Sequence, residues 1–436
     1  MESLATKYIL KIRQSIWFIP GVYSTLAGLI ALLVIYIDQS GFLRDFVPSL
    51  LLTEVELAQD ILGAIATALL TMTTITFSTI MIVLTTYSSQ FSPRTLGTFV
   101  EDPITLRVLG IFIGGFVYSI LTLLFMSETF YGDRVISATI GVAIAIVCLT
   151  FFVYFIHNVA TSIQVSTLIR KLSDEAREAV HNKKEFFEKG NVKRIQRQES
   201  SLRLYKYQKE ITANKYGYVQ VIDFEGLERI AVKSDILIEI PFPIGEFVCE
   251  GMVAFRIHYN QEDQELDMKL GRSFKIGKER TGLQDPEFAL QKLVEVALRA
   301  ISPGINDPNT AKNCIFHLGM VLSELCRLEG EGEYVGYLDE NANLRVIGRE
   351  KNIRELLYTS FYQITQYGEK DISILLALMD AFILVGKSAN HLIKSILWEI
   401  YCYTIEKFDH EQIKELDNVY LNRKKQELEE VLGKSL

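Results

Sequence analysis

The stretch ILGAIATALLTMTTITFSTIMIVLTTYSSQFSP, from Ile61 to Pro93, decides the fold of this chain. It contains no Asp, Glu, Lys, Arg or His. A helix needs about 20 predominantly apolar residues to cross a bilayer, and this stretch exceeds that length. We therefore predict a membrane-spanning helix over residues 61–87.

Hydroxyl side chains recur along this helix at spacings of four and three residues, which places them on one helical face. That face, here named the hydroxyl stripe, consists of Thr67, Thr71, Thr74, Ser78, Met81, Thr85 and Ser88. Two interpretations remain open from the sequence. The stripe either packs against another helix, since Ser and Thr are common at helix interfaces in lipid, or lines a water-filled pathway as pore-lining residues.

Composition indicates a membrane protein with a large polar part. Of the 436 residues, 49% are hydrophobic, and the mean hydropathy of +0.19 is high for an ordinary soluble protein of this size. The net charge of −8 argues against a nucleic-acid partner, which requires a clustered basic surface. The five cysteines show no CxxC or Cys–His metal spacing. They are expected to be reduced, buried thiols, and neither a metal nor a cofactor is expected.

Three further apolar runs are long enough to span a bilayer, at 16–37, 106–126 and 135–157. The third span carries Gly110 and Gly114, a GxxxG pair that lets a neighbouring helix pack closely. Residues 1–164 are therefore predicted to be a four-helix transmembrane domain.

Basic residues indicate how the spans are oriented. Lys7, Lys11 and Arg13 precede the first span, and Arg170 and Lys171 follow the fourth. The positive-inside rule then places both termini in the cytoplasm. The protein is expected to be a multi-pass protein of the cell membrane, with the acidic loop 38–60 outside.

Charged residues flank the second span on both sides. Glu54, Glu56 and Asp60 directly precede it and are expected to form an external vestibule that raises the local cation concentration. Gln90, Pro93 and Arg94 follow it at the predicted inner mouth. Because Pro93 ends or kinks a helix, this segment is either a structural hinge or a gate.

The remaining chain predicts a cytoplasmic α+β region. We expect a juxtamembrane helix and linker at 165–213, with the helix ending near Glu188, then a β-module at 214–275 and a helical domain at 276–436. The segment IGEFVCEGMVAFRI resembles half of a barrel-sandwich module. Residues 333–348 predict a hairpin, and four helices are expected over 349–431.

Two Asp-Pro sequences, Asp285-Pro286 and Asp307-Pro308, have the form of a helix N-cap followed by proline at the first helical position. Two interpretations remain open for the segment that joins these helices. It is either a capped helix junction or a site for an ion or small ligand formed by Asp285, Arg299, Asn306, Asp307 and Thr310.

Two long motifs resemble a bacterial family of predicted membrane proteins designated a domain of unknown function. The first is SSQFSPRTLGTF at Ser88–Phe99, followed by LGIFIGGFVYSIL. The second is LQDPEFALQKLVEVALRAISPGINDPNTA at Leu283–Ala311, with GYVQVID between the two. The resemblance implies four membrane spans and a cytoplasmic β-plus-helical region in a bacterial membrane. It implies no activity.

No catalytic motif is present, with no GxSxG, no HExxH and no phosphate-binding glycine loop. We therefore expect no enzyme. Charged residues, which mark coupling-ion sites in transporters, are absent from the middle of the spans, and Arg107 and His157 lie at span ends. Four helices also enclose too little volume for a transporter with a site at the membrane midplane.

The sequence favours a homo-oligomeric channel, with the lipid bilayer, further copies of the chain and ions as partners. The alternative is a membrane-anchored regulatory or scaffold protein whose cytoplasmic domain binds a partner or small ligand.

Overall fold

The chain divides into two compact units, Met1–Gln164 and Val165–Leu436, and each is described by itself. The computed structural model describes residues 18–40, 48–90, 94, 103–126, 134–162, 164–188, 190–196, 205–261, 270–271, 273–282, 284–328, 333–408 and 413–434.

Four apolar helices form the described part of the first unit, as the sequence predicts. Each is long and apolar enough to cross a membrane, judged by length and composition. They are α1 (Phe18–Ser40), α2 (Val55–Gln90), α3 (Pro103–Phe125) and α4 (Ser137–Ser162).

Helix α3 is the central helix of this unit. In its most apolar part 50% of residues are buried, against 17–22% in the other three helices. The predicted close packing at the GxxxG pair is confirmed, because a Cβ added at Gly114 would lie 3.2 Å from the Tyr23 carbonyl oxygen of α1. Gly115 faces the other two helices, and a Cβ there would lie 2.9 Å from Leu69 and 3.1 Å from Cys148. Small residues on α3 therefore let all three neighbours approach it closely.

The helices α2 and α4 begin at the same end of the unit, here named the strand end. Two short strands, β1 (Thr53–Glu54) and β2 (Arg134–Val135), pair there in antiparallel register. Asp38, near the end of α1, accepts hydrogen bonds from the backbone N–H groups of Ile136 and Ser137, at 2.9 and 3.2 Å. Because these N–H groups lie at the start of α4, a carboxylate from α1 caps a different helix.

The residues of the second unit that the structure describes form two sheets. Its described strands are β3 (Val192–Ile195), β4 (Tyr207–Thr212), β5 (Gly217–Ile222), β6 (Leu237–Ile240), β7 (Phe247–Val248), β8 (Val253–Tyr259), β9 (Phe274–Gly277), β10 (Tyr334–Leu338) and β11 (Leu344–Arg349). The six-stranded sheet has the order β3-β10-β11-β6-β8-β4, and the three-stranded sheet the order β7-β5-β9. Strands β11 and β6 pair in parallel, whereas the other neighbouring pairs described are antiparallel.

Helices cover the rest of this unit. They are α5 (Val165–Glu188), α6 (Phe224–Ser234), α7 (Pro286–Ala300), α8 (Pro308–Cys326), α9 (Ile353–Tyr367), α10 (Ile372–Ser388), α11 (His391–Lys407) and α12 (Glu415–Leu432). Helix α7 packs against α5, α8 and α9, and α10 packs against α8, α11 and α12. Gly319 of α8 lies against Ala381 of α10, where an added Cβ would be 3.0 Å from the alanine Cβ.

The structure confirms several local predictions for this unit and corrects others. The helix ending at Glu188, the hairpin of β10 and β11, and the four helices α9 to α12 are present as expected. The linker predicted within 189–213 instead contains strands β3 and β4 at opposite edges of the six-stranded sheet. The barrel-sandwich resemblance is not confirmed: the described strands within 214–275 belong to two sheets, and α6 lies between β5 and β6 in the chain.

Cysteine burial departs from the sequence expectation at one position. Cys148, Cys314 and Cys326 are buried and Cys402 is half-buried, but Cys249 is exposed. No disulfide joins these five residues, all of which the structure describes.

Candidate functional site

The hydroxyl stripe of α2 faces away from the helices of its own unit. Its seven members, Thr67 to Ser88, are all exposed. On a helix of 3.6 residues per turn, they lie opposite the face that packs against α3 and α4. That buried face consists of Leu62, Ala66, Leu69, Thr76, Val83 and Tyr87.

Threonine hydroxyls of the stripe bond to their own helix. Thr71 Oγ1 donates to the Thr67 carbonyl at 2.9 Å, and Thr74 Oγ1 to the Leu70 carbonyl at 3.0 Å. Thr67 and Thr85 make the same bond, at 3.0 and 2.9 Å. The hydroxyl proton is thereby used within the helix, while the oxygen lone pairs stay available as acceptors. Such a stripe presents acceptors to whatever covers it.

The acidic vestibule residues lie on secondary structure, which corrects the loop predicted at 38–60. Helix α2 begins at Val55 and includes Glu56 and Asp60, both exposed. Glu56, Asp60 and Gly63 precede Thr67 at spacings of four, three and four residues, so they extend the hydroxyl stripe by three turns. The sequence missed this because hydropathy detects the apolar part of a helix and not its polar first turns.

Glu54 differs from the other two acids. It lies on β1, directly opposite Arg134 of β2 in the strand register. Opposite charges at such a position offset one another, and both residues are exposed. The Glu54–Arg134 pair therefore adds no net formal charge to this end of the unit, whereas Glu56 and Asp60 each add one negative charge.

The predicted inner mouth is described only in part. Gln90 is the last residue of α2, and Arg94 is exposed. Pro93 and the side chain of Gln90 lie outside the described residues. Both interpretations of this segment, a structural hinge and a gate, therefore stay open.

Asp285 lies in a buried charge cluster in the second unit. Its side chain is 2% exposed and accepts from the Phe288 N–H at 3.2 Å, as the Asp-Pro pattern predicts for an N-cap. Arg280 contacts Asp285 at 2.7 Å and Glu287 at 2.9 Å. Lys351 also contacts both carboxylates, Asp285 at 3.6 Å and Glu287 more closely. Two cations thus hold two carboxylates, which we name the Asp285 cluster.

Sequence reasoning missed Arg280 and Lys351, because no motif links a lysine to an aspartate 66 positions earlier. Burial lowers the pKa of Lys351, and Arg280 lowers it further, while Asp285 raises it. Gly245, with φ at +84°, leaves room for the carboxylate, since an added Cβ would collide with Asp285 Oδ2. Its left-handed conformation also favours glycine.

The other four residues of the predicted ligand site lie elsewhere. Asp285 precedes α7, whereas Arg299 lies in its last turn and Asn306 beyond it. A 15-residue helix is about 22 Å long, so these residues do not converge with Asp285. Asp307 accepts from the Thr310 N–H at 3.2 Å and from its hydroxyl at 2.6 Å. That hydroxyl bond lowers the pKa of Asp307.

This segment has the geometry of a capped junction. Asn306 has φ at +51°, a left-handed conformation that asparagine tolerates better than most residues. The Asp307 N–H donates to the Ala300 carbonyl at 2.8 Å, which ties the turn back to α7. Within the described ranges, no group of three or more His, Cys, Asp or Glu side chains is placed to hold a metal ion.

A bundle of helices apolar enough to cross a membrane, followed by a polar α+β unit, is typical of a membrane protein. The chain matches the family model DUF2254, described as a predicted membrane protein, over residues 13–383, and it belongs to that family.

Two relatives are uncharacterized proteins, Mb1321c of Mycobacterium bovis and Rv1290c of Mycobacterium tuberculosis. Each is 27% identical over 347 residues, which is 76% of this chain and 64% of the relative. The chain thus spans less than two thirds of the length of these relatives. No solved structure matches it.

Proposed function

We propose that the protein is a homo-oligomeric, cation-conducting membrane channel in which α2 of each copy lines the pathway. The observation that carries this proposal is the polar stripe of α2. It runs from Glu56 to Ser88 on the exposed side of the helix, opposite the face buried in its own unit.

The chemistry of the stripe favours cations. Hydroxyl oxygens that donate to their own helix keep lone pairs for a partly dehydrated cation and offer it no full charge that would trap it. Glu56 and Asp60 continue the stripe and attract cations to one mouth, an effect that salt screens.

The length of α2 fits this arrangement. Its 36 residues extend about 54 Å, against roughly 30 Å for the hydrocarbon core of a bilayer. The acidic turns therefore extend beyond the apolar region. In the proposed orientation, both termini and the second unit are cytoplasmic and the strand end is external. Labelling of cysteines engineered at residues 48 and 434 with an impermeant reagent tests this. External labelling at 434 contradicts it.

One copy presents a single stripe and cannot surround a pathway, so the proposal requires symmetry mates. We expect the purified protein in detergent to be a stable homo-oligomer, assembled in part through the second unit. Light scattering with subtraction of the detergent mass measures the number of copies. A strict monomer at all concentrations contradicts the proposal.

Ion selectivity provides the direct functional test. In a bilayer with a KCl gradient, we expect the reversal potential to lie between zero and the equilibrium potential of K⁺. Replacing Glu56→Gln together with Asp60→Asn should move the potential toward zero, more strongly at low salt than at high salt. Glu54→Gln is the control, because it removes one charge instead of two and Glu54 lies on β1, off the stripe of α2, and we expect a smaller shift. Anion-selective currents refute the vestibule argument.

A membrane-anchored regulatory or scaffold protein is the second candidate function. The threonine-to-carbonyl bonds of α2 favour it, because a stripe whose hydroxyl protons are satisfied within the helix is also tolerated against lipid or protein. Flux assays on the purified protein in liposomes separate the two functions.

A further inference from the structure

A cavity of about 190 Å³ lies in the second unit beside the Asp285 cluster. Its apolar wall includes three aromatic rings that fix one another in place. Phe224 and Tyr337 stack with centroids 4.7 Å apart and planes 11° apart, and Phe186 meets Tyr337 edge-on at 5.0 Å. Ile244 and Leu356 continue this wall. The cavity therefore offers a rigid apolar surface to a small molecule.

The carboxylates that line the cavity are each held by two cations. Asp285 and Glu287 share Arg280 and Lys351. The third carboxylate, Glu350, contacts Lys183 at 3.2 Å and Arg194 at 2.8 Å. These three carboxylates are consequently poor ligands for an additional cation.

Arg349 lines the same cavity as Lys183 and Lys351. Its side chain is exposed and lines the cavity, and among the described residues it has no ion-pair or hydrogen-bond partner. Three cations and three carboxylates thus line the cavity. Arg280 and Arg194 pair with these carboxylates from outside the lining, so among the described residues the Arg349 guanidinium stays unpaired. Guanidinium groups bind phosphate and carboxylate through two parallel hydrogen bonds.

We propose that this cavity binds a small organic anion, an aromatic phosphate or carboxylate. The ring of the ligand packs against the aromatic wall, and its anionic group binds Arg349 with Lys351 at the rim. A neighbouring cavity of about 750 Å³ shares Arg349, Glu350 and Lys351. It adds two cations, Arg256 and Arg280, and three carboxylates, those of Glu246, Glu333 and Glu355. The additional carboxylates outnumber the additional cations, and the larger cavity lacks the Phe186, Phe224 and Tyr337 rings, so the smaller cavity is the site.

Calorimetric titration of the full chain in detergent tests the site with three probes. Phenyl phosphate has both parts of the proposed ligand, inorganic phosphate has only the anion, and benzyl alcohol has only the ring. We expect phenyl phosphate to bind at least about tenfold more tightly than either of the others, because both halves of the site contribute.

Two variants locate the binding. Arg349→Gln should weaken phenyl phosphate binding about tenfold, as expected for loss of a charge-assisted contact. Arg423→Gln, an exposed arginine of α12 that lines neither cavity, is the matched control and should bind as the wild type does. Ile244→Trp should fill the cavity and abolish binding while leaving every charge in place.

Equal binding of phenyl phosphate and inorganic phosphate would overturn the assignment, as would wild-type affinity in Arg349→Gln. If Ile244→Trp does not fold, judged by its melting curve, the Arg349→Gln result decides alone. None of these measurements depends on ion flux, so they test the binding site independently of the proposed channel.

Discussion

Ion flux through liposomes that contain the purified protein should fall by about tenfold or more when Thr74→Leu and Ser78→Leu are combined, because a lost polar ligand costs a partly dehydrated ion about 1–3 kcal/mol. Both residues are exposed and lie one turn apart on the hydroxyl stripe. In a symmetric assembly, each substitution replaces a ring of hydroxyl oxygens by a ring of isobutyl groups. Such a hydrophobic constriction also excludes water.

Thr79→Leu is the control for this experiment. Thr79 belongs to the same helix, and its hydroxyl makes the same bond, to the Ile75 carbonyl at 2.9 Å. It lies about 100° from Ser78 around the helix and is half-buried in its own unit, so flux should be nearly unchanged. Wild-type flux in the Thr74→Leu and Ser78→Leu double variant would mean that the stripe packs against lipid or protein and lines nothing.

The second large effect concerns the two Asp-Pro helix starts. Asp285→Ala should lower the free energy of unfolding by about 3–5 kcal/mol, because it leaves Arg280 and Lys351 buried with one carboxylate between them. Asp307→Ala should lower it by about 1 kcal/mol, the usual cost of losing a helix cap. Both residues cap a helix, but Asp285 also contacts Arg280 and Lys351.

Fluorescence of Trp398 can measure this difference. It lies in α11 of the second unit, and the chain has one other tryptophan, Trp17, which a Trp17→Phe background removes. Denaturant midpoints of the two alanine variants are compared in that background. Equal losses would show that the Asp285 cluster contributes no more than a cap.

Local signals in the sequence were sufficient for the helices and their starts. Apolar length identified the four helices of the first unit, and Gly110 and Gly114 predicted the close packing that α1 and α3 show. The Asp-Pro pattern correctly assigned Asp285 and Asp307 as N-caps. Each of these signals spans only a few neighbouring residues, which is why sequence alone reveals it.

Long-range pairing could not be predicted in the same way. Strands β3 and β4 follow one another in the chain yet lie at opposite edges of one sheet. Their short, polar sequences carry no period that specifies a partner. The ligand site proposed for residues 285–310 was drawn from neighbours in sequence, whereas the partners of Asp285 are Arg280 and a lysine from beyond β11.

The parallel pairing of β11 with β6 also delays completion of the six-stranded sheet during synthesis. Strand β6 ends at Ile240, but its partner β11 ends at Arg349. At about 5–20 residues per second, the ribosome needs about 5–20 s to make the intervening chain. During that interval one edge of β6 lacks its final partner, and such an edge is a template for aggregation. The nascent chain therefore passes through a period in which this strand edge is open to pairing with other chains.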